Sequence, residues 1–333
     1  MNAPIVHGGG ITAAAVTYGG ELEQWLDLST GINPCPVPLP DVPMRAWHRL
    51  PDRYLVDRAR AAARSYYRSG EILPLPVPGT QSVIQLLPRL LVVPGRVAIL
   101  GPTYGEYERA FRMAGCSVDL VTRLDDVETE HAVIVIANPN NPTGRAYAPE
   151  ELVAFSKEVH ARGAVVVLDE AFGDTCAELS LVPFVAQLPN VLICRSFGKF
   201  FGLAGLRLGF VVAVVPILRR LEELLGPWAV SGPALSIATE LFASDVTAIQ
   251  RRLSERAGVL RRTLEEGGLQ VIGGTDLFAL VDDEYAGELH QHLCRNHILV
   301  RKFDYEPRWL RFGLAADVAS DQRLSNALQS FRP

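Results

Sequence analysis

One lysine in a glycine-rich segment is the residue of this chain whose surroundings point most directly to chemistry. Lys199 lies in residues 196–210, SFGKFFGLAGLRLGF, between two apolar runs. A desolvated lysine amine is more readily uncharged, and a free amine forms an imine with a carbonyl compound. Ser196 and Arg207 could both bind a phosphate near that amine. Either the segment is a solvated turn, or it is a site for a phosphorylated aldehyde such as pyridoxal phosphate.

Short apolar runs alternate with helical patterns from residue 97 onward. Their continuous apolarity is typical of strands buried on both faces, which predicts an α/β fold with a mostly parallel sheet between helix layers. The predicted strands are residues 97–100, 118–121, 132–137, 164–168, 191–194 and 208–215. The predicted helices are residues 56–67, 105–114, 149–162 and 217–266, the last interrupted at 226–227 and 231–233.

The chain has 333 residues, which is enough for one large and one smaller domain. We expect the large domain at residues 41–220. Residues 1–40 are predicted to form an irregular amino-terminal arm, because residues 33–40, NPCPVPLP, favour an extended path. The mixed helical and strand patterns of residues 221–333 predict a smaller α+β domain.

Polar loops follow the predicted strands, at the end of the sheet where open α/β folds bind ligands. Residues 79–81, GTQ, precede a helical segment whose first amides could bind a phosphate. Tyr104 could stack on a planar ring or lie in the core. Asn141 belongs to residues 138–144, NPNNPTG, in which the asparagines could serve a ligand or only form the turn.

Asp169 directly follows the most apolar predicted strand, residues 164–168. A carboxylate at a buried strand end requires a partner, because an unpaired buried charge is strongly destabilising. A protonated ring nitrogen would be such a partner.

Three segments of this chain, together with Arg207, resemble the fold-type-I pyridoxal-phosphate enzymes, which have an aminotransferase-like fold. The resemblance covers most of the chain and is carried by residues 141–144, 169–172 and 196–199. It implies that Lys199 is the catalytic lysine that binds pyridoxal 5'-phosphate covalently and that Asp169 partners the pyridine nitrogen. It also implies that Asn141 donates a hydrogen bond to the phenolic oxygen of the cofactor and that Tyr104 stacks on the cofactor ring. The implied phosphate-binding residues are Gly79, Thr80, Gln81, Ser196 and Arg207.

Three positions near the implied cofactor depart from the common pattern of that family. Phe172 stands where many aminotransferases have a tyrosine that hydrogen-bonds the phenolic oxygen, and Gly198 replaces a serine that often binds phosphate. The loss of the phenol makes efficient transamination less expected. Tyr54 resembles a tyrosine that reaches the cofactor phosphate of the neighbouring subunit in such dimers, although the order of residues around it differs; a surface tyrosine is the alternative.

The amino-terminal segments narrow the resemblance to one branch of the family. Residues 7–10, HGGG, and 28–36, LSTGINPCP, are similar to the branch of histidinol-phosphate aminotransferases and L-threonine-O-3-phosphate decarboxylases of cobalamin synthesis, and most similar to the decarboxylases. The resemblance implies that Arg311 binds a substrate carboxylate. Arg301 would bind the substrate phosphate or form a structural ion pair. The other implied substrate contacts are His7, Gly8 and Asn33.

The branch implies decarboxylation of L-threonine O-3-phosphate to (R)-1-aminopropan-2-yl phosphate, with Lys199 returning a proton to the α-carbon. A histidinol-phosphate-type aminotransferase is the first alternative, and Phe172 counts against it. A non-catalytic cofactor-binding partner in corrinoid assembly is the second. The presence of Lys199, Asp169 and both arginines favours an enzyme.

Composition bears on the partners and the compartment. A formal net charge of −5 without a basic stripe argues against nucleic acid. The five cysteines occur singly, and the pair His290 and His292 fits a solvated helix face, so we expect reduced thiols and no metal site. Neither a signal peptide at residues 1–4 nor an apolar run long enough for a membrane span is evident, so we expect a cytoplasmic protein without membrane contact. The family implies a homodimer.

Overall fold

The computed structural model describes residue 5, residues 7–92 and residues 94–332. The signal-peptide prediction therefore concerns residues that lie outside the described part. Among the described residues, no helix combines the length and the apolarity needed to cross a lipid bilayer.

The regular elements alternate along the chain as the apolar runs predict. The strands of the described residues are β1 (Leu26–Leu28), β2 (Leu75–Val77), β3 (Arg96–Leu100), β4 (Val118–Val121), β5 (His131–Ala137), β6 (Val165–Asp169), β7 (Val191–Ser196), β8 (Gly209–Val212), β9 (Gln270–Thr275), β10 (Phe278–Asp282), β11 (Ile298–Phe303) and β12 (Glu306–Gly313). The α-helices are α1 (Ile11–Tyr18), α2 (Met44–His48), α3 (Arg53–Tyr67), α4 (Thr80–Leu90), α5 (Glu106–Met113), α6 (Pro149–His160), α7 (Phe197–Phe200), α8 (Val215–Leu225), α9 (Gly232–Phe242), α10 (Thr247–Glu266), α11 (Ala286–Arg295) and α12 (Val318–Ser330).

The larger sheet has seven strands in the order β2-β8-β7-β6-β5-β3-β4. The strands from β7 to β4 are parallel to their neighbours, whereas β8 is antiparallel to both β7 and β2. Almost every side chain of β5, β6 and β7 is buried, which explains their continuous apolarity and confirms the mostly parallel sheet between helices. Because parallel strands end at the same edge of a sheet, the loops after β3, β5, β6 and β7 emerge side by side.

The smaller sheet has five strands in the order β1-β11-β12-β10-β9. Its strands are antiparallel except for the pair β1 and β11. With α10, α11 and α12 it forms the α+β arrangement predicted for the carboxyl-terminal part.

The described chain divides into two compact units. The larger unit comprises Val37–Asn141 and Arg145–Asp245 and contains the seven-stranded sheet. The smaller unit comprises the described residues up to Pro36, Pro142–Gly144 and the described residues from Val246 onward. The domain bounds drawn from the sequence, 1–40, 41–220 and 221–333, stay a prediction.

The prediction of an irregular arm was wrong for part of residues 1–40. Helix α1 and strand β1 lie within it, and β1 pairs in parallel with β11. Three residues are too few to produce a periodic pattern, so pairing with a strand far along the chain, which sequence periodicity does not report, makes this segment regular. Residues 33–40 are without helix or strand, as their prolines predict.

Two other boundaries differ from the prediction. The apolar run 208–215 is a strand only to Val212, because α8 begins at Val215 with Pro216 in its first turn, where the missing amide hydrogen is tolerated. The helical stretch 217–266 has one break at residues 226–231 where two were predicted, at 226–227 and 231–233, because Gly232 and Pro233 already belong to the first turn of α9. A further interruption separates α9, which ends at Phe242, from α10, which begins at Thr247.

Candidate active site

Lys199 lies directly beyond strand β7, in the one-turn helix α7, and is partly buried. The segment predicted as a glycine-rich loop is therefore helical at the lysine. Aromatic packing explains this, since the Phe197 and Phe201 rings stack with their centroids 4.6 Å apart. A Cβ on Gly198 would lie 2.6 Å from Ala204 Cα, so the chain can pack here only with glycine. This contact is the steric reason for the departure from serine at position 198.

Asp169, the last residue of β6, is buried, with 7 % of its surface exposed. The Tyr107 hydroxyl donates to its Oδ2 at 2.9 Å, and the Ala171 amide donates to its Oδ1 at 3.0 Å. Burial raises the pKa of the Asp169 carboxyl, while the Tyr107 hydrogen bond and the Lys199 ammonium act in the opposite direction. The carboxylate is thus oriented by two donors and lies in the electrostatic field of the lysine.

Sequence reasoning missed Tyr107. Its position on the buried face of α5, three residues after Tyr104, is a signal that could have marked it as inward-facing, although nothing local identifies Asp169 as its partner.

Replacing Tyr107 by phenylalanine is expected to lower the free energy of unfolding by about 1.5–3 kcal/mol, the usual contribution of a hydrogen bond to a charged group. The phenol is fully buried, so water cannot replace its hydrogen bond to the carboxylate. Urea unfolding of the cofactor-free protein measures this, with Tyr285→Phe, at a side chain that is 40 % exposed, as the control. Equal stability of the two variants would contradict the assigned bond.

Tyr104 is linked to the start of α4 by a chain of side-chain hydrogen bonds. The Tyr104 hydroxyl donates to Gln81 Oε1 at 3.1 Å. Gln81 Nε2 and Gln85 Nε2 donate to Glu106 Oε2 at 3.1 and 3.2 Å. The predicted stacking ring and one of the predicted phosphate-binding residues are therefore oriented by the same buried glutamate.

The predicted phosphate-binding residues meet at the amino terminus of α4. Gly79 precedes that helix with φ +75°, and a Cβ on it would lie 2.8 Å from Arg207 Nη2. Ser196 pairs with Gly209 between β7 and β8, and a Cβ on Gly209 would lie 3.1 Å from Thr80 Cγ2. A helix amino terminus with an adjacent guanidinium and hydroxyls is a donor set for an anion.

Arg207 itself has a left-handed backbone, with φ 50°. This conformation is unfavourable for a residue with a Cβ, by roughly 1–2 kcal/mol. Its Nη1 donates to the Ala204 carbonyl at 3.0 Å, so the side chain folds back over its own turn toward Gly79.

Asn141 lies in the turn after β5, and the neighbouring asparagines hold that turn in place. Asn138 Oδ1 accepts from the Tyr147 amide at 2.8 Å, and its Nδ2 donates to the Tyr147 carbonyl at 3.2 Å. Asn140 Nδ2 donates to the Pro102 carbonyl at 2.9 Å, which ties this turn to the loop that carries Tyr104.

A buried ion cluster that the sequence did not predict follows Asp169 in the chain. Arg195 Nη1 is 2.5 Å from Glu170 Oε2, and its Nη2 is 2.5 Å from Asp174 Oδ1. All three side chains are at most 3 % exposed. Ser180 Oγ also donates to Glu170 Oε2, at 2.6 Å. The cluster joins β7 to residues 170–174, the turn that follows Asp169.

Tyr54 is the predicted cofactor contact expected to act on the neighbouring subunit. It lies on α3, is 59 % exposed, and its ring contacts Arg58, whose Cζ is 5.8 Å from the ring centroid.

The smaller unit contains the two arginines predicted to bind substrate. Arg301 and Arg311 are directly opposite each other in the antiparallel pair β11 and β12, so both side chains start from the same face of the sheet. Arg311 is buried and its Nη2 donates to the Ser29 carbonyl at 2.8 Å. Burial and the nearby Arg301 charge lower the pKa of Arg311 to about 10. Two guanidinium groups held together, one of them desolvated, favour an anionic ligand.

Of the amino-terminal residues predicted to bind substrate, Gly8 contacts the same Ser29. A Cβ on Gly8 would overlap the Ser29 carbonyl oxygen, and the Gly9 amide donates to Ser29 Oγ at 2.7 Å. His7 is exposed and directly precedes Gly8. Asn33 is buried, and its Oδ1 accepts from the Cys35 amide at 2.9 Å. The smaller unit thus brings Gly8 and Arg311 to one serine.

Comparisons with known proteins show the family to which this chain belongs. The chain belongs to the family described as aminotransferase class I and II, whose pattern matches residues 26–331. It is 58 % identical over 328 residues to a threonine-phosphate decarboxylase from Sinorhizobium sp., covering 98 % of each chain. It is 42 % identical over 333 residues to a threonine-phosphate decarboxylase from Pseudomonas aeruginosa, again covering 98 % of each.

A solved structure supports the fold. The histidinol-phosphate aminotransferase from Sinorhizobium meliloti in complex with pyridoxal-5'-phosphate superposes with a TM-score of 0.83 at 21 % identity, covering 96 % of this chain and 94 % of that one. The predicted aminotransferase-like fold is thereby confirmed.

Proposed function

We propose that this protein is a pyridoxal-phosphate-dependent lyase that decarboxylates L-threonine O-3-phosphate to (R)-1-aminopropan-2-yl phosphate in cobalamin biosynthesis. The observation that carries this proposal is the 58 % identity to a threonine-phosphate decarboxylase over 98 % of both chains. The residues of the larger unit supply the cofactor chemistry and those of the smaller unit supply anion recognition.

The residues present fit pyridoxal phosphate. Its phosphate would be held by the first amides of α4 together with Gly79, Thr80, Gln81, Ser196 and Arg207. The missing Cβ of Gly79 leaves room for the Arg207 guanidinium at this helix terminus. The desolvated Asp169 carboxylate suits a protonated pyridine nitrogen, since a cation would stabilise its charged form. Asn141 and Tyr104 would contact the ring, and Lys199 would bind the aldehyde.

When bound, pyridoxal phosphate withdraws electrons from the α-carbon of an attached amino acid. The role of Asp169 is to stabilise positive charge at the ring nitrogen. Lys199 Nζ holds the proton that the α-carbon receives after carbon dioxide leaves. The substrate is oriented by its two anionic groups, with the carboxylate on Arg311 and the phosphate on Arg301, His7, Gly8 and Asn33, and this orientation selects the bond that breaks.

Carbon dioxide release from L-threonine O-phosphate by the cofactor-loaded protein, with no keto acid present, tests the proposal. Release together with aminopropanol phosphate is the expected result. Glutamate formation from 2-oxoglutarate and histidinol phosphate, without carbon dioxide, would identify an aminotransferase instead. Cofactor binding with neither reaction would indicate a non-catalytic partner in corrinoid assembly.

Replacing Arg311 by glutamine is expected to lower kcat/KM roughly 100-fold, because removal of a buried charge leaves its anionic partner without compensation. Cofactor absorption should be retained, since Arg311 belongs to the smaller unit. Steady-state decarboxylation kinetics measure the effect. Arg308→Gln, at an exposed position of the same strand, is the matched control and should leave kcat/KM within about twofold. Loss of the absorption band in the Arg311 variant would contradict a role confined to substrate.

For its organisation we propose a cytoplasmic homodimer in which Tyr54 reaches the cofactor phosphate of the second subunit. The exposed position of Tyr54 on α3 supports this assignment, because its hydroxyl is available to another chain. We further propose residues 41–220 as the cofactor-binding domain, with residues 1–40 and 221–333 forming the smaller one.

A further inference from the structure

We propose that Gly273 and Gly274 are positioning residues that hold the turn of Asn141 by a backbone contact, and so fix the donor implied for the phenolic oxygen of pyridoxal phosphate. The inference rests on the proposed function for its chemical meaning. Its structural basis lies inside the smaller unit, to which residues 142–144 belong. There the Gly274 amide donates to the Thr143 carbonyl at 3.1 Å.

The glycine pair, Gly273 and Gly274, lies in β9, which is an edge strand of the five-stranded sheet. An edge strand presents backbone donors and acceptors with which another segment can pair. The register between β9 and β10 shifts beside Gly273, where β9 has an extra residue. Such a bulge bends the strand locally, and glycine in a strand allows a second backbone to come close. The β9 edge is therefore suited to bind the main chain of residue 143.

The two main chains approach so closely that neither side has room for a Cβ. A Cβ on Gly273 would overlap the Thr143 carbonyl oxygen, and a Cβ on Gly144 would overlap the Gly274 carbonyl oxygen. Gly144 and Gly274 also have positive φ angles, of 72° and 143°, which glycine adopts without strain. The φ of Gly273 lies outside that region. An alanine at position 273 is therefore opposed by the contact with Thr143 and not by its own backbone.

The turn of Asn141 is closed on itself as well as bound to β9. The Asn140 amide donates to the Arg145 carbonyl at 2.8 Å, which joins the two ends of the loop formed by residues 141–144. Pro142, directly after Asn141, is buried. A loop with joined ends and a bound middle has little conformational freedom left to lose when a ligand binds. Asn141 is thus held through its own main chain.

One row of the smaller sheet connects this contact with the arginines predicted to bind substrate. Arg301 lies opposite Arg311, and Leu280 lies opposite both Arg311 and Gly273 in its two neighbouring strands. Residues directly opposite each other start from the same face of a sheet. Because a Cβ on Gly273 would meet Thr143, residue 143 lies on the face of the arginines. Gly273 is two strand spacings, about 10 Å, from Arg311 along this row.

The hydrogen exchange of the Gly274 amide, followed by NMR in the cofactor-free protein, tests the contact itself. In the wild type this amide should be protected, and exchange at the rate of an unstructured amide would overturn the proposal. Gly273→Ala places a methyl group against the Thr143 carbonyl and should accelerate the exchange roughly 10-fold or more. Unchanged protection in folded Gly273→Ala would also overturn the proposal.

Gly287→Ala is the matched control for this variant. Gly287 lies in α11 of the same unit, and a Cβ on it would meet no described atom within 4 Å. The Gly274 amide should exchange in this variant as in the wild type, and equal acceleration in both alanine variants would contradict a local contact.

Titration of the cofactor-free protein with pyridoxal phosphate separates positioning from a merely structural effect. Asn141→Ala should raise the Kd roughly 10- to 100-fold, because it removes a hydrogen bond to an oxygen that carries negative charge. Gly273→Ala should raise the Kd roughly 3- to 30-fold by displacing the same donor. In the double variant Gly273→Ala should add less than about twofold, since the donor it displaces is already absent.

Multiplied effects in the double variant would show that Gly273 does not act through Asn141 and would overturn the positioning role. A Kd of Gly273→Ala equal to that of the wild type would do the same. The proposed function fails separately: a wild type that binds pyridoxal phosphate but releases no carbon dioxide would overturn the decarboxylase, while the exchange and titration results would still decide the role of the glycine pair. A wild type that does not bind pyridoxal phosphate would overturn both.

Discussion

Replacing Lys199 by alanine should abolish the visible absorption that the cofactor acquires on covalent attachment and lower the decarboxylation rate at least roughly 1,000-fold. The amine both attaches the cofactor and moves the proton, so its loss removes two functions together. Absorbance spectroscopy and carbon dioxide release measure them separately. Arg207 and the amino terminus of α4 would still bind the phosphate of the cofactor. The variant is therefore expected to bind the cofactor without showing the absorption band.

Lys157→Ala is the control for this variant, because Lys157 is exposed on α6. It should retain both the absorption band and the rate. Wild-type turnover in Lys199→Ala would overturn the assignment of the catalytic lysine. Loss of activity in both variants would show that the effect is not specific to the site.

Replacing Asp169 by asparagine is expected to lower kcat roughly 100- to 1,000-fold, because a neutral amide cannot stabilise a protonated ring nitrogen. The same change should leave the cofactor-free protein as stable as the wild type at neutral pH, or more so. The pKa of the buried Asp169 is raised, so its charged form is disfavoured in the folded state. Opposite effects on turnover and on stability are the signature of a carboxylate held for function.

The difference in stability between Asp169→Asn and the wild type is expected to depend on pH, and the raised pKa of Asp169 determines the direction. Since the pKa of Asp169 is higher in the folded than in the unfolded chain, the folded state binds the extra proton, and this contribution to stability is lost as the pH rises through the folded pKa. Unfolding free energies of Asp169→Asn and wild type, measured without cofactor, should therefore diverge in favour of the variant with rising pH. Asp304→Asn, at an exposed position, should show no such trend. A difference that shrinks with rising pH would contradict the raised pKa.

The apolar runs, which alternate with helical patterns along the sequence, were enough to predict the larger sheet and its helix layers. Residues 132–137, 164–168 and 191–194 coincide closely with β5, β6 and β7, because strands buried on both faces need an unbroken apolar pattern. The arm at residues 1–40 contains a strand that no local pattern could predict. Strand β1 is regular only because β11, some 270 residues later, pairs with it.

The candidate site shows the same division. Lys199 and Asp169 could be singled out from the sequence because an amine in a glycine-rich segment and a carboxylate after an apolar strand are unusual in themselves. The residues that bind and orient the site could not be predicted in this way. Tyr107 and its partner Asp169 are 62 positions apart in the sequence, and Arg195 and its partner Glu170 are 25 positions apart. Nothing in the local pattern around either residue predicts those pairs.

Residue type and spacing alone therefore determined the class of fold, the family and the groups that can do chemistry. Local propensity and burial pattern act over a few residues, and each is readable along the chain. Only the tertiary structure decided which groups meet: the phenol on Asp169, the guanidinium against Gly79, and the arginines facing each other across β11 and β12. Those contacts depend on strand order and on register, where a shift of one residue turns every side chain to the other face of the sheet.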